Sequence, residues 1–182
     1  MTSVLSERLS WDEIKELVHR GKTSDIDAFG VLGRCEADLF SYRAHRANIL
    51  ETYASVTDEL RSRLFGAPLV KQEQNGGKLA VDTASDTTAS KRYVLVMANE
   101  FPYYVDHNIA HINIWCSNGA LSDETVEQLI VERLPSETAE YVWFVNPPQY
   151  QSIRAIWHCH VFVRNLKPTA RVAKPGEAEL WN

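Results

Sequence analysis

The second half of the chain contains four separate strand-like runs, two of which alternate apolar and polar residues, and this pattern limits the fold more than any other feature of the sequence. Such alternation is typical of β-strands that present one face to a core. A helical run over 122–134 interrupts the strands and ends at Pro135. The four runs are KRYVLVMAN (91–99), AHINIWCS (110–117), EYVWFVNP (140–147) and AIWHCHVFVR (155–164), and FPYYVD (101–106) could form a further short strand.

The first 66 residues show helical periodicity instead. In SWDEIKELVHRG, Ser10 and Glu13 form a capping box that begins a helix, and Gly21 is expected to end it. A second helix is predicted over 36–53 and a third over 56–65. Helices first, then strands with one inserted helix, predict an α+β fold with a mostly antiparallel sheet.

A length of 182 residues fits a single domain that covers 1–182 and buries a sizeable core. Within it we expect a helical part at 1–66 and a sheet part at 91–167. The segment 67–90 is rich in Gly, Ser, Thr and Asp, which predicts a mobile loop. Residues 168–182 are polar and are expected to form a surface tail.

Composition argues against several classes of function. The net charge of −5 gives no basic footprint for nucleic acid, and no run of about 18 apolar residues could cross a membrane. The N-terminus lacks the apolar centre of a secretion signal. Cys35, Cys116 and Cys159 are odd in number and form no CxxC motif, so we expect small buried side chains and a cytoplasmic location.

Two histidines share one face of the last strand. Residues i and i+2 of a strand point the same way, so His158 and His160 lie on the face of Ile156 and Phe162. The opposite face is more apolar and better suited to the core; it carries Trp157, Cys159, Val161 and Val163. His111 lies at the start of another strand and can approach the pair if the two strands are neighbours.

Three imidazoles that meet could bind a metal, could supply a nucleophile and general acid/base groups, or could simply hydrogen-bond to the backbone. Zinc could take His111, His158 and His160 as ligands. No carboxylate or cysteine is clearly preset beside them, however, and Cys159 points to the other face. We therefore predict neither a metal nor another cofactor.

Aromatic and basic residues surround the expected site. Tyr103, Tyr104 and Phe162 could wall a pocket for a planar or apolar ligand, with core packing as the alternative. Arg154 could hold an anionic substrate group, with a solvated charge as the alternative. A second basic cluster, predicted to be a solvated helix face, consists of Arg43, His45 and Arg46.

The stretch 99–164 resembles the histidine-triad (HIT) superfamily in its order of AHINIW, a helix, WFVN, a Gln-Ser loop and a His-x-His strand. The resemblance implies that His160 is the nucleophile that attacks phosphorus, with His158 in the nearby polar network and His111 in support. It also implies a phosphate site at Asn146 and the Gln151–Ser152 loop. The third histidine position of the triad carries Phe162, which cannot handle a proton, so ordinary nucleotide hydrolysis departs from the pattern.

A second resemblance covers nearly the whole chain. SWDEIKELVHRG, NEFPYYVDHNIAHINIW, VNPPQYQS and the His-x-His strand together look like a family of mostly fungal proteins whose best-named members are induced by N-acetylglucosamine. This resemblance implies a fold and a fungal, cytoplasmic setting but no particular reaction.

Three hypotheses of function follow. The first is a small-molecule enzyme for nucleotidyl or phosphoryl transfer or hydrolysis. The second is a cofactor-free acid/base isomerase or cyclase in metabolite biosynthesis that uses the same pocket. The third is a non-catalytic protein that binds a sugar or nucleotide. All three involve a small-molecule ligand and neither nucleic acid nor membrane, and they leave a homodimer open.

Overall fold

The computed structural model describes residues 3–181 and has the predicted α+β fold, with helices first and an antiparallel sheet after them. Short 3₁₀ helices lie at Ile26–Val31, Glu73–Asn75 and Thr87–Ala89. The α-helices are α1 (Trp11–Thr23), α2 (Glu36–Thr52), α3 (Val56–Phe65) and α4 (Asp123–Arg133). The strands are β1 (Leu69–Gln72), β2 (Lys78–Val81), β3 (Tyr93–Ala98), β4 (Ile109–Cys116), β5 (Tyr141–Phe144), β6 (Trp157–Arg164) and β7 (Glu179–Leu180).

The main sheet has five strands in the order β5-β6-β4-β3-β7, and its neighbours are antiparallel. The long strands β4 and β6 are therefore direct neighbours at its centre. Their register places His111 opposite Phe162, Asn113 opposite His160 and Trp115 opposite His158. The strands that carry His111 and the pair His158 and His160 are therefore neighbours, as the sequence analysis required for the three histidines to meet.

Both faces of the sheet are covered. Helix α4 packs on one face, where Val126, Leu129 and Ile130 contact a cluster that includes Cys116, Cys159 and Val161. The N-terminal helices cover the other face: residues of α1 cluster with Phe144 and Phe162, and residues of α3 cluster with Leu95 and Met97. The two faces of β6 are divided as its alternation predicts, and the histidine face looks toward the N-terminal helices.

Helix α1 begins at the predicted capping box. Ser10 Oγ accepts from the Glu13 amide, and the Ser10 amide donates 2.8 Å to Glu13 Oε2. The prediction that Gly21 ends the helix is wrong, because α1 continues to Thr23. Gly21 serves close packing instead: a Cβ at this position would lie 2.5 Å from Phe29 Cε2.

The prediction of a mobile loop over 67–90 is wrong for its first half, where β1 and β2 form an antiparallel hairpin. The polar residues that suggested a loop serve its turn, in which Gly76 and Gly77 take φ of 66° and 73°. The Val81 amide donates 2.9 Å to Asp58 Oδ1 and so attaches the hairpin to α3. Farther on, Arg61 Nη2 of α3 pairs with Asp86 Oδ2 at 3.0 Å.

The tail is more than a surface extension. Its strand β7 pairs with β3, and Val172 and Trp181 pack against the cluster between α4 and the sheet. FPYYVD forms no strand; Val105 makes one isolated parallel bridge to Leu9. Cys116 and Cys159 are buried as predicted, whereas Cys35 is half-buried at the start of α2. No helix within 3–181 is long and apolar enough to cross a membrane.

Candidate functional site

The antiparallel pairing of β4 and β6 brings the three predicted histidines together. His111 Nε2 lies 3.0 Å from His160 Nδ1, and the His158 and His160 rings are 5.4 Å apart. All three side chains are buried, with 5 to 7 % of their surface exposed. His111, His158 and His160 therefore form one cluster on the side of the sheet that faces the N-terminal helices.

Hydrogen bonding fixes the tautomers of His111 and His160. The Tyr103 amide donates 3.0 Å to His111 Nδ1, so the proton of a neutral His111 is on Nε2. That N–H donates to His160 Nδ1, which also takes a 3.2 Å contact from Asn113 Nδ2. His160 therefore carries its own proton on Nε2, and both of its ring nitrogens are engaged.

Asn146 closes the chain at the far side of His160. Its Nδ2 lies 2.9 Å from His160 Nε2 and 3.2 Å from Tyr103 Oη, while its Oδ1 is buried without a partner among residues 3–181. Two N–H groups cannot bond to each other. A half-turn of the Asn146 amide gives the His160 proton an oxygen acceptor and leaves the NH₂ group at the unpartnered position.

His158 is bonded differently from the other two histidines. Its Nδ1 lies 3.0 Å from the Ile156 carbonyl, which only accepts, so the His158 proton is on Nδ1. Its Nε2 is then unprotonated and has no hydrogen-bond partner within the described part of the chain. The ring stacks on Trp115 with centroids 4.3 Å apart. His158 Nε2 is thus the free lone pair of the cluster.

Burial keeps the cluster neutral, because desolvation disfavours the charged imidazolium. Burial, with the nearby charge of Arg34, lowers the pKa of His111 to about 3. Burial and neighbouring charges hold the pKa of His160 well below its ordinary value. Burial also lowers the pKa of His158, opposed by its hydrogen bond to the Ile156 carbonyl.

A cleft lies over the histidine face, between the sheet and helices α2 and α3. Its cavity volume is about 100 Å³. His158, His160, Asn113 and Trp115 line its sheet side. Its apolar wall is formed by Ile49, Val56, Leu60, Leu64, Met97, Phe101 and Ile153.

Three arginines line this cleft; sequence reasoning missed Arg34 and Arg63 and placed Arg46 on a solvated helix face. Arg63 binds the carboxylates of Glu59 and Glu100. Arg34 is 8 % exposed, and Arg46 is half-buried and donates 3.0 Å to Tyr42 Oη. Neither Arg34 nor Arg46 forms an ion pair with any residue in 3–181. The solvated-face prediction holds for the exposed Arg43 but is wrong for Arg46 and His45, which line the cleft.

The other predicted site residues divide into two groups. Ser152 lines the cleft, and Gln151 Nε2 donates 2.6 Å to the Asn146 carbonyl. Tyr103 is buried against His111, with ring centroids 4.8 Å apart. Asn146 and Tyr103 therefore support the cluster from behind rather than line the cleft, and Gln151 acts through Asn146.

Phe162, Tyr104 and Arg154 do not wall the cleft. Phe162 is fully buried in the core beside His111. Tyr104 turns away from the cluster and lies under the Arg8 guanidinium, 4.4 Å from its ring centroid. Arg154 is exposed on the loop before β6. Phe162 lies on the histidine face of β6, as alternation predicts, but residues of α1 pack over it. Tyr104 and Arg154 lie outside the strands, where the path of the chain decides the direction of a side chain.

The histidines are not arranged as a metal site. Within 3–181, no group of three or more His, Cys, Asp or Glu side chains is placed to hold an ion. The hydrogen bonds explain this, because both nitrogens of His111 and of His160 are already used.

The fold and the site together define an α+β protein whose sheet carries a buried three-histidine cluster beneath an arginine-lined cleft. The chain belongs to the DUF3605 family, described as a protein of unknown function, whose model matches residues 10–164. The family assignment therefore covers every element that builds the cluster and the cleft.

The relatives found are fungal. The chain is 24% identical over 169 residues to the uncharacterized protein YPL067C of Saccharomyces cerevisiae, which covers 84% of this chain and 77% of that protein. It is 29% identical over 89 residues to N-acetylglucosamine-induced protein 1 of Candida albicans, over 40% of this chain and 35% of that protein. The predicted relationship to an N-acetylglucosamine-induced protein is thus confirmed as a distant one.

One solved structure has a similar fold. The crystal structure of HTC1 matches with a TM-score of 0.56 and 20% identity, covering 85% of this chain and 84% of that one. At this identity the similarity concerns the fold alone. The resemblance of 99–164 to the HIT superfamily stays a prediction.

Proposed function

We propose that this protein is a small-molecule enzyme that transfers or hydrolyses a nucleotidyl or phosphoryl group, with His158 as the nucleophile. The observation that carries the proposal is the free, unprotonated Nε2 of His158 in a cleft that also holds unpaired arginines. A neutral imidazole is a good nucleophile at pH 7, and guanidinium groups stabilise charge on phosphate oxygens. The resemblance of 99–164 to the HIT superfamily supports the same chemistry.

The sequence resemblance gives the nucleophilic role to His160, but the hydrogen bonds favour His158. His160 donates through Nε2 and accepts through Nδ1, so it has no free lone pair toward the cleft. Its bonds to His111 and Asn146 instead hold a neutral ring beside His158. We therefore regard His111, His160 and Asn146 as positioning residues in the proposed reaction.

The reaction would proceed in two steps. First, the lone pair of His158 Nε2 forms a bond to phosphorus, and the bond from phosphorus to the leaving group breaks with its electron pair. The leaving group takes a proton from solvent, since Phe162 cannot supply one. Second, water or another hydroxyl acceptor attacks phosphorus and loses its proton to solvent, the P–N bond breaks, and its electron pair returns to Nε2.

The test is incubation with a nucleoside phosphoramidate and with a nucleotide sugar, the second chosen because one relative is named for its induction by N-acetylglucosamine. Wild type should turn over at least one of them and carry an acid-labile adduct on His158 in a mass spectrum. His158→Asn should lower the rate by about 1,000-fold, because its amide can still donate to the Ile156 carbonyl but has no nucleophilic nitrogen.

The matched control is His107→Asn, which removes an exposed imidazole. It should leave the rate unchanged. An adduct on His160 would refute the assignment of His158. Absence of both turnover and adduct in folded wild type would refute the phosphoryl-transfer proposal.

The same nitrogen supports one alternative reaction. His158 Nε2 is an unprotonated base in a largely apolar cleft, which suits cofactor-free acid/base isomerisation or cyclisation of a metabolite. Turnover of a metabolite without any adduct would favour it over phosphoryl transfer. A protein that binds sugar or nucleotide without turnover would fit neither reaction. For each of these functions we propose a cytoplasmic setting.

A further inference from the structure

Arg34 is a buried cation that forms no ion pair within residues 3–181. It lies between the 3₁₀ helix Ile26–Val31 and α2, with 8 % of its surface exposed. Its Nε donates 2.9 Å to the Phe101 carbonyl. No carboxylate of the described chain forms an ion pair with it. A buried charge is normally paired or bound to a ligand, because an unpaired one loses its hydration without compensation.

The surroundings of the Arg34 guanidinium leave one part of it available. The group lies over the ring of Tyr42, 4.5 Å from the centroid, and over that of Tyr103 at 5.3 Å. With Nε bonded to Phe101, the terminal nitrogens Nη1 and Nη2 are left without a hydrogen-bond partner among residues 3–181, and Arg34 lines the cleft. Two adjacent N–H groups in one plane match the spacing of two oxygens of a phosphate or carboxylate.

The acidic residues of the cleft do not bind the terminal nitrogens of Arg34. Glu59 and Glu100 are both bound to Arg63. Arg46 adds a second cation that forms no ion pair within the described part of the chain; its Nη1 contacts the Tyr42 hydroxyl and the Ser152 carbonyl. Three arginines and two glutamates line the cleft, so its net formal charge is positive, although Glu59 Oε2 is buried without a hydrogen-bond partner among the described residues.

One wall of the cleft is apolar. Leu60, Leu64 and Met97 line it from α3 and β3, and Trp115 lines it beneath. A fully polar ligand would leave these side chains without complementary contacts. The cleft therefore fits a molecule with an anionic head and an apolar or aromatic body.

We propose that Arg34, assisted by Arg46, binds the phosphate group of a phosphate ester whose apolar or aromatic body occupies the wall of Leu60, Leu64 and Met97. The inference rests on the proposed function for the identity of the reacting group, but the binding itself does not require His158. In this proposal the protein recognises its substrate mainly by the anionic head.

The experiment measures binding of phenyl phosphate by titration calorimetry, with no turnover required. Wild type should bind with a Kd below about 1 mM, since two charge-assisted contacts and a buried ring act together. Arg34→Met, which removes the charge but keeps a long side chain, should weaken binding by at least about 10-fold. Arg43→Met on the exposed side of α2 is the matched control and should bind as wild type does.

Three further probes measure how much the anionic head and the apolar body of the ligand each contribute to binding. Inorganic phosphate lacks the body, phenol lacks the anion, and benzoate replaces phosphate by carboxylate. Each should bind more weakly than phenyl phosphate. Inorganic phosphate that binds as tightly would overturn the apolar-body assignment, and benzoate that binds more tightly would overturn the phosphate assignment.

Wild type that does not bind phenyl phosphate, or Arg34→Met that binds it as wild type does, overturns the inference. If Arg34→Met does not fold, Arg34→Gln replaces it because it also removes the charge, and binding of phenyl phosphate as tight as that of wild type overturns the inference equally. The two proposals fail separately. Absence of a histidine adduct in wild type refutes the reaction, whereas Arg34-dependent binding of phenyl phosphate is measured independently of it, with His158→Asn expected to retain it.

Discussion

Lowering the pH from 7 to 5 should destabilise the protein through its buried histidines, and His111 permits the effect to be calculated. Burial lowers the pKa of His111 to about 3 in the folded chain, while an unfolded histidine titrates near 6.5. Between these two values the unfolded state binds more protons than the folded state. The contribution of His111 to the free energy of unfolding is therefore fully present above pH 6.5 and declines as the pH falls toward 3.

The magnitude follows from the interval that is titrated. A pH of 5 lies about 1.5 units below the pKa of about 6.5 of the unfolded imidazole. At 1.36 kcal/mol per unit, His111 therefore lowers the free energy of unfolding by about 2 kcal/mol between pH 7 and pH 5. His160 has its pKa shifted in the same direction and adds to the loss. Carboxylates contribute mainly below about pH 5, so this window isolates the histidines.

The assay is urea unfolding at pH 7, 6 and 5, followed by tryptophan fluorescence, for wild type and His111→Asn. The asparagine oxygen can replace Nδ1 as the acceptor of the Tyr103 amide but does not titrate. Between pH 7 and pH 5 the free energy of unfolding of the variant should fall by about 2 kcal/mol less than that of wild type.

His107→Asn is the control for this measurement, because it removes an exposed imidazole and should reproduce the wild-type dependence on pH. If wild type and His111→Asn lost the same stability between pH 7 and pH 5, the argument from burial of His111 would be refuted.

Two further predictions concern packing, and urea unfolding at pH 7 measures both. Gly21→Ala should destabilise by about 1–3 kcal/mol, although alanine normally favours a helix, because the new Cβ meets the Phe29 ring that stacks on Phe144; a stabilised variant would contradict the close approach. Phe162→Ala should cost about 3–5 kcal/mol, because the ring is fully buried beside His111. The exposed Phe40→Ala is the control, and an equal small loss in both would show that Phe162 is not in the core.

The sequence was sufficient for most of the secondary structure because the relevant signals are local. The capping box at Ser10 and the alternation of β6 depend on neighbours within a few residues, and both predictions are confirmed. The hairpin β1–β2 was missed because its strands have only four residues each and are joined by a polar turn. Its position is set by contacts with α3, such as the bond from the Val81 amide to Asp58, and these contacts are not local in sequence.

The candidate site was predicted only in part, for a similar reason. Alternation and the expected pairing of strands placed His111, His158 and His160 together. Which nitrogen of each ring is free depends on the Ile156 carbonyl and the Tyr103 amide, and no residue pattern encodes that. Arg34 was missed because its burial depends on how α2 packs over the sheet. An arginine after the mostly apolar run AFGVLG was the available signal.

The register of β4 against β6 makes the histidine cluster a determinant of the fold as well as of the cleft. A slip of one residue would turn His158 and His160 toward α4, into an apolar layer formed by Val126, Leu129 and Ile130. Their N–H groups would find no acceptor there, and unpaired polar groups are costly in such a layer. The observed register therefore assembles the cluster, and a shifted register would leave its histidine N–H groups without acceptors. Substitutions in the cluster should change the uniqueness of the native sheet together with its chemistry.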